Sequence, residues 1–340
     1  MNVRLCSGKV YVLFILIILM FFSGYLVHYE SKLELINKWI PSSLTFQERE
    51  RRVNNLTYPA FQHPLAPPYP YPYKFLINQA DKCKNRNPFI VVIIFGECHD
   101  IESRNTIRET WGNESLYDVD MVFLFLVGLP TVVPDQTQWL LEEESVLFGD
   151  IIQQNFMDTY YNLTLKTLMA MEWVTKFCPS ASYVMKIDND MFLNVDYLVH
   201  TILHPDLPAH VDYFTGHIVS NTGPLRDKAY KWYVPVEIYP NDTYPPYCAG
   251  PGYLFSSDLA KKIYDVSQEI RVIPMEDVFM GICLYELHIP PTEPPPDKFI
   301  AFKWDYDLCL FKNVVMVHHY AGTELRTVWA DFWANRNRKC

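Results

Sequence analysis

Apolar residues fall along this chain in three regimes. The first is a single run from Val10 to Val27, VYVLFILIILMFFSGYLV, with no charged residue. As a helix rising 1.5 Å per residue it spans roughly 27 Å, enough to cross a thin bilayer. The second, Tyr58 to Tyr73, interleaves prolines with aromatics. It cannot form a helix or a central strand, and an extended polyproline conformation is expected. The third begins near residue 83 and has the pattern of an α/β domain. Pro88–Phe95 and Met121–Val127 are continuous apolar runs of strand length, as in buried parallel strands. Ile101–Trp111 fits a helix with Arg104 and Arg108 one turn apart, Gln136–Phe148 an amphipathic helix, and Leu163–Phe177 another that starts at Asn162-Leu-Thr. Tyr183–Ile187 is a strand running directly into Asp188. This β-α-β-α-α-β order predicts a mostly parallel sheet covered on both faces, with ligands beyond the carboxyl ends of its strands.

The second half is less regular. Tyr213–Ser220 and Tyr253–Ser256 read as strands, and Asp258–Ser267 and Glu276–Leu287 as helices. Pro290 to Pro296 must be an exposed loop. Val314–His318 is a last short strand, followed by a helix over Thr323–Trp333.

Charge and composition decide the compartment. Half of the 340 residues are apolar (49%), so a large core is within reach, and the net charge of −10 argues against a nucleic-acid partner. Arg4 and Lys9 precede the apolar run, whereas a mixed set of His28, Glu30 and Lys32 follows it. The positive-inside bias puts the short N-terminus in the cytosol and the rest in the lumen. A cleaved signal peptide is the competing reading, but the run is long for one and does not clearly end in small residues. The expected organisation is a tail at 1–9, a transmembrane anchor at 10–27, a luminal stem at 28–82 and a luminal domain at 83–340. Four glycosylation sequons, at Asn55, Asn113, Asn162 and Asn241, agree with a lumen. Of eight cysteines, Cys6 is cytosolic and the other seven are widely and irregularly spaced without a C-x-x-C pair. Disulfides in an oxidising lumen are therefore expected, and an odd one stays free or pairs between chains.

The candidate chemistry sits at strand and helix ends. Asp188-Asn189-Asp190 places two carboxylates where a buried strand gives way to a loop, a fit for a hard divalent cation such as Mg²⁺ or Mn²⁺. Such triplets also occur as plain solvated loops, so context must decide. Glu276-Asp277 opens a helix, where carboxylates serve as caps, but Asp277 is also placed to act as a general base. Arg104 and Arg108 share a helix face at the open edge of the sheet, suited to an anionic nucleotide. His318 ends an apolar strand and would bias a metal site toward Mn²⁺, whereas His319 faces the other way if the strand continues. Tyr247 to Tyr253 carries two glycines that let the backbone approach a ligand. No G-x-S-x-G, H-E-x-x-H or Walker sequence is present.

Six stretches together resemble the β1,3-galactosyltransferase family of Golgi enzymes. They are Arg104–Gly112, Phe125–Gly128, Tyr161–Thr167, Tyr183–Asn194, Tyr244–Tyr253 and Glu276–Gly281. The resemblance implies a GT-A fold that transfers galactose from UDP-galactose, with inversion, to the 3-hydroxyl of a GlcNAc-terminated glycan on protein or lipid. Carried over by motif, Asp190 and His318 would hold Mn²⁺. Arg104, Arg108, Lys186 and Asp188 would serve the donor, and Asp277 would be the base. Gly250, Gly252, Tyr253 and Glu276 would shape an acceptor loop. Departures are Asn189 inside the metal triplet, and Ala249 and Pro251 in the glycine loop. Cys98 has no family counterpart, which leaves six luminal cysteines as the disulfide set. Close relatives use UDP-GlcNAc with the same motifs, and a silent glycan-binding protein could keep the fold without turnover.

Overall fold

Strand β2 (Ile90–Phe95) is buried at all six positions and forms the centre of a seven-stranded sheet. The structure is a computed structural model that describes residues 69–340. The expected anchor and the Asn55 sequon lie outside the described residues. Among the described residues no helix is long and apolar enough to cross a membrane.

The sheet runs β1 (Phe75–Ile77), β4 (Ile151–Met157), β3 (Met121–Leu129), β2, β5 (Tyr183–Asp188), β8 (Tyr247–Ser256), β7 (Phe214–Val219). The four strands from β4 to β5 are mutually parallel, and antiparallel strands close both edges. The alternation along β2 sorts the core into two layers. Val91, Ile93 and Phe95 pack toward α3 (Leu163–Phe177), α4 (Asp258–Ser267) and α5 (Glu276–Glu286). Ile90, Val92 and Ile94 pack toward α1 (Ile101–Glu109), α2 (Pro134–Phe148) and α6 (Gly322–Asn335). A second, three-stranded sheet joins β6 (Met191–Leu193), β10 (Met316–His318) and β9 (Phe299–Ile300).

Four features differ from the expectations. A strand, β4, separates the two consecutive helices, and its polar centre hides it from an apolar pattern. Gln153 is nonetheless fully buried, exchanging amide hydrogen bonds of 2.8 Å with Gln138 in α2. The sheet also begins upstream of residue 83, since β1 pairs with β4 and the Tyr69 hydroxyl bonds Ser267 and Gln268. The glycine segment is no loop: Tyr247–Ser256 is one continuous strand. Finally, only four of the six expected cysteines pair, as Cys83–Cys178 and Cys309–Cys340, while Cys248 and Cys283 are buried free thiols like Cys98.

Candidate active site

The strand order reverses at β2. The chain leaves β2 toward β3 on one side, and β5 returns on the other, so the crevice between the carboxyl ends of β2 and β5 is the topological switch point. Asp188 ends β5 there, paired across from Phe95. The following Asn189 turns away from the crevice. Its backbone bonds Phe95 O and its amide donates to Asp100 Oδ2 at 2.8 Å, while Asp100 Oδ1 caps α1. Asn189 therefore holds the turn and the first helix together, with Asp188 lining the crevice and Asp190 turned toward His318.

The second sheet brings His318 to Asp190. In the β6–β10 ladder His318 pairs with Met191, the residue after Asp190, and Tyr320 N donates to Asp190 O. His318 Nε2 lies 3.3 Å from Asp190 Oδ2, while His318 Nδ1 lies 3.1 Å from Ala301 O. A proton on Nδ1 shared with that carbonyl would leave the Nε2 lone pair available to a cation held between the ring and the carboxylate. His319 departs from the expectation that it would point away. Its φ of +64° ends the strand, so its ring stacks on His318 at 3.7 Å and places Nδ1 3.6 Å from Asp190. One carboxylate oxygen and two ring nitrogens thus lie within 4.8 Å of one another, and this mixed donor set fits a divalent cation such as Mn²⁺.

Beside this cluster a buried lysine organises three acidic groups. Lys186 in β5 is 3% exposed, donates 2.7 Å to Asp188 and also to Gly250 O, and lies 3.8 Å from Glu276. Burial alone would lower its pKa, but Asp188 and Glu276 outweigh that and raise it. Glu276 opens α5, accepting hydrogen bonds from Tyr253 Oη at 2.5 Å and Thr167 Oγ1 at 3.1 Å. Its burial pushes it up to about 7, against the pull of Lys186. Asp277, next on the helix, accepts from Val278 N at 2.8 Å and Gly250 N at 3.2 Å. Burial raises its pKa above the usual carboxylate range, with those N–H groups opposing the shift.

A cavity of about 570 Å³ collects these groups: Lys186, Asp188, Glu276, Asp277 and His318 all line it, together with Gly250. Its lining is also aromatic. Tyr247 is joined there by Tyr160 and Trp232, which no sequence pattern singled out, with Trp232 Nε1 donating to Tyr160 Oη at 2.8 Å. Two residues of the expected acceptor loop lie beneath the cavity rather than on it. Tyr253 is fully buried and positions Glu276, and Gly252 is covered by Met316, whose sulfur would lie 2.5 Å from an added Cβ.

Arg104 and Arg108 are engaged elsewhere. Arg104 is buried, with its guanidinium bonded to both Glu144 oxygens and to the carbonyls of Glu97 and Cys98. Arg108 spans Glu144 and Asp150 at 2.7–2.8 Å. Four of the five N–H groups of Arg104 are already bonded, so both arginines fasten α1 to α2 and do not line the cavity. Among the described sequons, Asn241 is exposed. Asn113 caps a short 3₁₀ turn, and Asn162 donates its amide to Met157 O at 2.8 Å.

The galactosyltransferase family profile matches residues 102–295, more than half of the chain. Over 272 residues the chain is 41% identical to β1,3-galactosyltransferase 1 of Mus musculus, covering 80% of this chain and 82% of that one. The chain belongs to the galactosyltransferase family. It is also 44% identical to human β1,3-galactosyltransferase 2 over 276 residues, which is 80% of this chain and 65% of that protein's length. A solved glycosyltransferase involved in glycosylating the major capsid of PBCV-1 aligns over 73% of this chain at 13% identity, with a TM-score of 0.37. That likeness is too distant to add to the family assignment. The family match takes in Arg104, Asp190 and Asp277 but ends before His318 and His319.

Proposed function

We propose that this galactosyltransferase family member is a Mn²⁺-dependent β1,3-galactosyltransferase of GT-A type. It moves galactose from UDP-galactose to the 3-hydroxyl of a GlcNAc-terminated glycan on protein or lipid, with inversion. The observation that carries the reading is the opening of Asp277 and His318 into one cavity at the switch point of the sheet. Relatives bearing the name β1,3-galactosyltransferase support the donor sugar and the linkage. Asp190 and His318, with His319 beside them, would hold the ion, which supplies positive charge against the leaving diphosphate.

The chain's own groups account for the rest of the chemistry. Asp277 takes the proton from the acceptor hydroxyl as that oxygen attacks, and its raised pKa makes it a stronger base than an exposed aspartate. The Gly250 N–H and the helix start at Val278 hold that carboxylate in one orientation. Lys186 sets a fixed cation beside Asp188 and, together with Tyr253 and Thr167, anchors Glu276 at the cavity wall. Asp188 and Lys186 belong on the donor side, whereas Arg104 and Arg108 support that side through α1. The apolar run at 10–27, the sequons and the two disulfides support a single-pass type II protein of the Golgi membrane with a luminal catalytic domain.

The test is incubation of the purified protein with a GlcNAc-terminated or a galactose-terminated acceptor and either UDP-galactose or UDP-GlcNAc, with Mn²⁺ or a chelator. Galactose on the product only with UDP-galactose and Mn²⁺ is expected. GlcNAc on a galactose-terminated acceptor would reject the donor assignment, and UDP binding without transfer to any acceptor would reject turnover.

A further inference from the structure

The chemistry proposed above uses the charged groups of the cavity and leaves its aromatic lining without a task. Trp232 lines the cavity and is 50% exposed, yet its ring is not loose. Its Nε1–H is committed to Tyr160 Oη at 2.8 Å. Tyr160 is itself boxed in, with Lys231 Nζ 3.7 Å from its ring centre and the Tyr161 ring across it at 5.9 Å. An indole held in one orientation with half its surface in water is the kind of flat apolar face that a ligand covers. The loop that carries it is built to keep it there. Arg226 donates to the carbonyls of Val234, Tyr239 and Asn241 at 2.8–2.9 Å, and Tyr244 N closes the loop on Thr222 O. From Tyr244 the chain enters β8, whose first residues lie along α5. A Cβ added to Gly281 would meet Tyr247 Cβ at 2.7 Å, and Gly250 N donates to Asp277. Asp277 and Gly281 are about one helical turn apart, so Tyr247 is packed one turn from the base. Burial raises the pKa of Tyr160, Tyr244 and Tyr247, and the nearby charge of Asp277 adds to the shift in all three.

We propose that Trp232 is the stacking platform for the acceptor sugar, anchored by the Tyr160 hydroxyl and carried by the loop that Arg226 staples. The assignment deepens the sugar-transfer reading and rests on it for the role of Asp277. A UDP-sugar runs in the order uracil, ribose, diphosphate, sugar, and inversion requires attack from the face opposite the diphosphate. The base and the acceptor therefore belong at the end of the donor furthest from uracil, and the rings grouped about Asp277 are on that side. A β-linked GlcNAc suits an indole. Its ring substituents are equatorial, so the axial hydrogens at C1, C3 and C5 make one face entirely C–H. The 3-hydroxyl meanwhile projects from the edge of the ring, where a base can reach it. Tyr160 acts through Trp232 and is a positioning residue.

Two readouts on the full chain in detergent test this. The first, independent of turnover, is saturation-transfer NMR with methyl β-N-acetylglucosaminide in the presence of UDP and Mn²⁺. Saturation should reach the hydrogens at C1, C3 and C5 and be lost in Trp232→Ala, while the calorimetric affinity for UDP is retained. Trp232→Phe, which keeps an aromatic face, should retain most of the signal. The second readout is transfer kinetics. Trp232→Ala should raise the acceptor KM about tenfold, the worth of roughly 50 Å² of carbon face taken out of water, with the UDP-galactose KM unchanged. Tyr160→Phe should raise it about threefold by removing the hydrogen bond that fixes the indole. In the Trp232→Ala background it should add nothing, because the hydroxyl acts only through that ring. A wild-type spectrum without saturation would overturn the platform, and so would sugar binding indifferent to Trp232→Ala. Lost UDP affinity with an unchanged melting temperature would also overturn it, by putting uracil on the ring instead. Additive effects of the two substitutions would overturn the anchoring by Tyr160. Absence of transfer to every acceptor would reject the sugar-transfer reading alone, since the NMR result decides the platform by itself.

Discussion

Asp277 and Glu276 are adjacent carboxyls with opposite tasks, and their surroundings separate them. Asp277 accepts two backbone N–H groups and opens to the cavity, so it stays a carboxylate with an elevated proton affinity. Asp277→Asn keeps the shape but removes the base. It should lower kcat by about 10²- to 10⁴-fold while UDP-galactose binding, read by calorimetric titration, is unchanged; transfer at near wild-type rate would reject the assignment. Glu276 titrates from a usual value of 4.5 up to about 7. Between those two values the native state holds a proton that the unfolded chain has released. Stability therefore falls as pH rises through that window, and the loss is complete above pH 7. Glu276→Gln should flatten this slope in denaturant melts between pH 4.5 and 7, an effect on the order of 3 kcal/mol. An unchanged slope would mean that Glu276 stays ionised throughout.

At the scale of elements, one close crossing sets the metal cluster. Gly252 in β8 passes under Met316 in β10, the strand that ends in His318. A methyl group there would meet the Met316 sulfur at 2.5 Å and force that side chain to repack beneath the strand that ends in His318. Gly252→Ala should therefore cost about 1–3 kcal/mol in thermal unfolding and weaken Mn²⁺ binding. Gly250→Ala, whose Cβ would sit 3.4 Å from Glu276 Oε2, should leave stability nearly intact and impair transfer instead. Equal Mn²⁺ affinity in the two variants would uncouple β8 from the cluster. Much of this framework was legible in sequence because burial writes itself as apolar runs. The strands at 90–95, 121–129 and 183–188 and the helices at 163–177 and 258–267 follow those runs closely. What was hidden is polar or too short: β4 buries Gln153, and β6 and β9 have three and two residues, whereas α2 was legible as a helix but not the outward turn of its apolar side. The same holds at the site. Asp188, Asp190, Asp277 and His318 could be picked from strand and helix ends. His319 depends on one left-handed residue, and the arginines depend on Glu144 and Asp150, acidic partners that no spacing reveals.

At the scale of the molecule, two disulfides among the described residues hold segments that the sheet alone does not. Cys83–Cys178 joins the approach to β2 with the end of α3 across a separation of 95 residues, and Cys309–Cys340 fixes the chain's end across 31. The longer loop restricts the unfolded chain more, so Cys83→Ala should destabilise by about 1 kcal/mol more than Cys309→Ala, within a typical range of about 2–5 kcal/mol. Cys98, Cys248 and Cys283 take no part. Each is buried in the core, and burial raises each thiol far above its usual pKa, which suppresses the reactive thiolate. Alkylation of the native protein should therefore spare these three, and they should label only in denaturant, with peptide mapping showing Cys83, Cys178, Cys309 and Cys340 as two linked pairs. The geometry of the cavity gives this outcome a consequence beyond bookkeeping of bonds. Cys248 directly precedes Ala249 and Gly250 in β8, and Cys283 lies in α5, the helix that carries Asp277. A Cys248–Cys283 bond would tie the two elements that hold the base, so a linked peptide containing both would overturn the free-thiol assignment. With the thiols free, β8 and α5 are held together only by packing and by hydrogen bonds such as Gly250 to Asp277. Reducing agent should then lower thermal stability through the two remote disulfides while leaving the kcat of the folded enzyme unchanged.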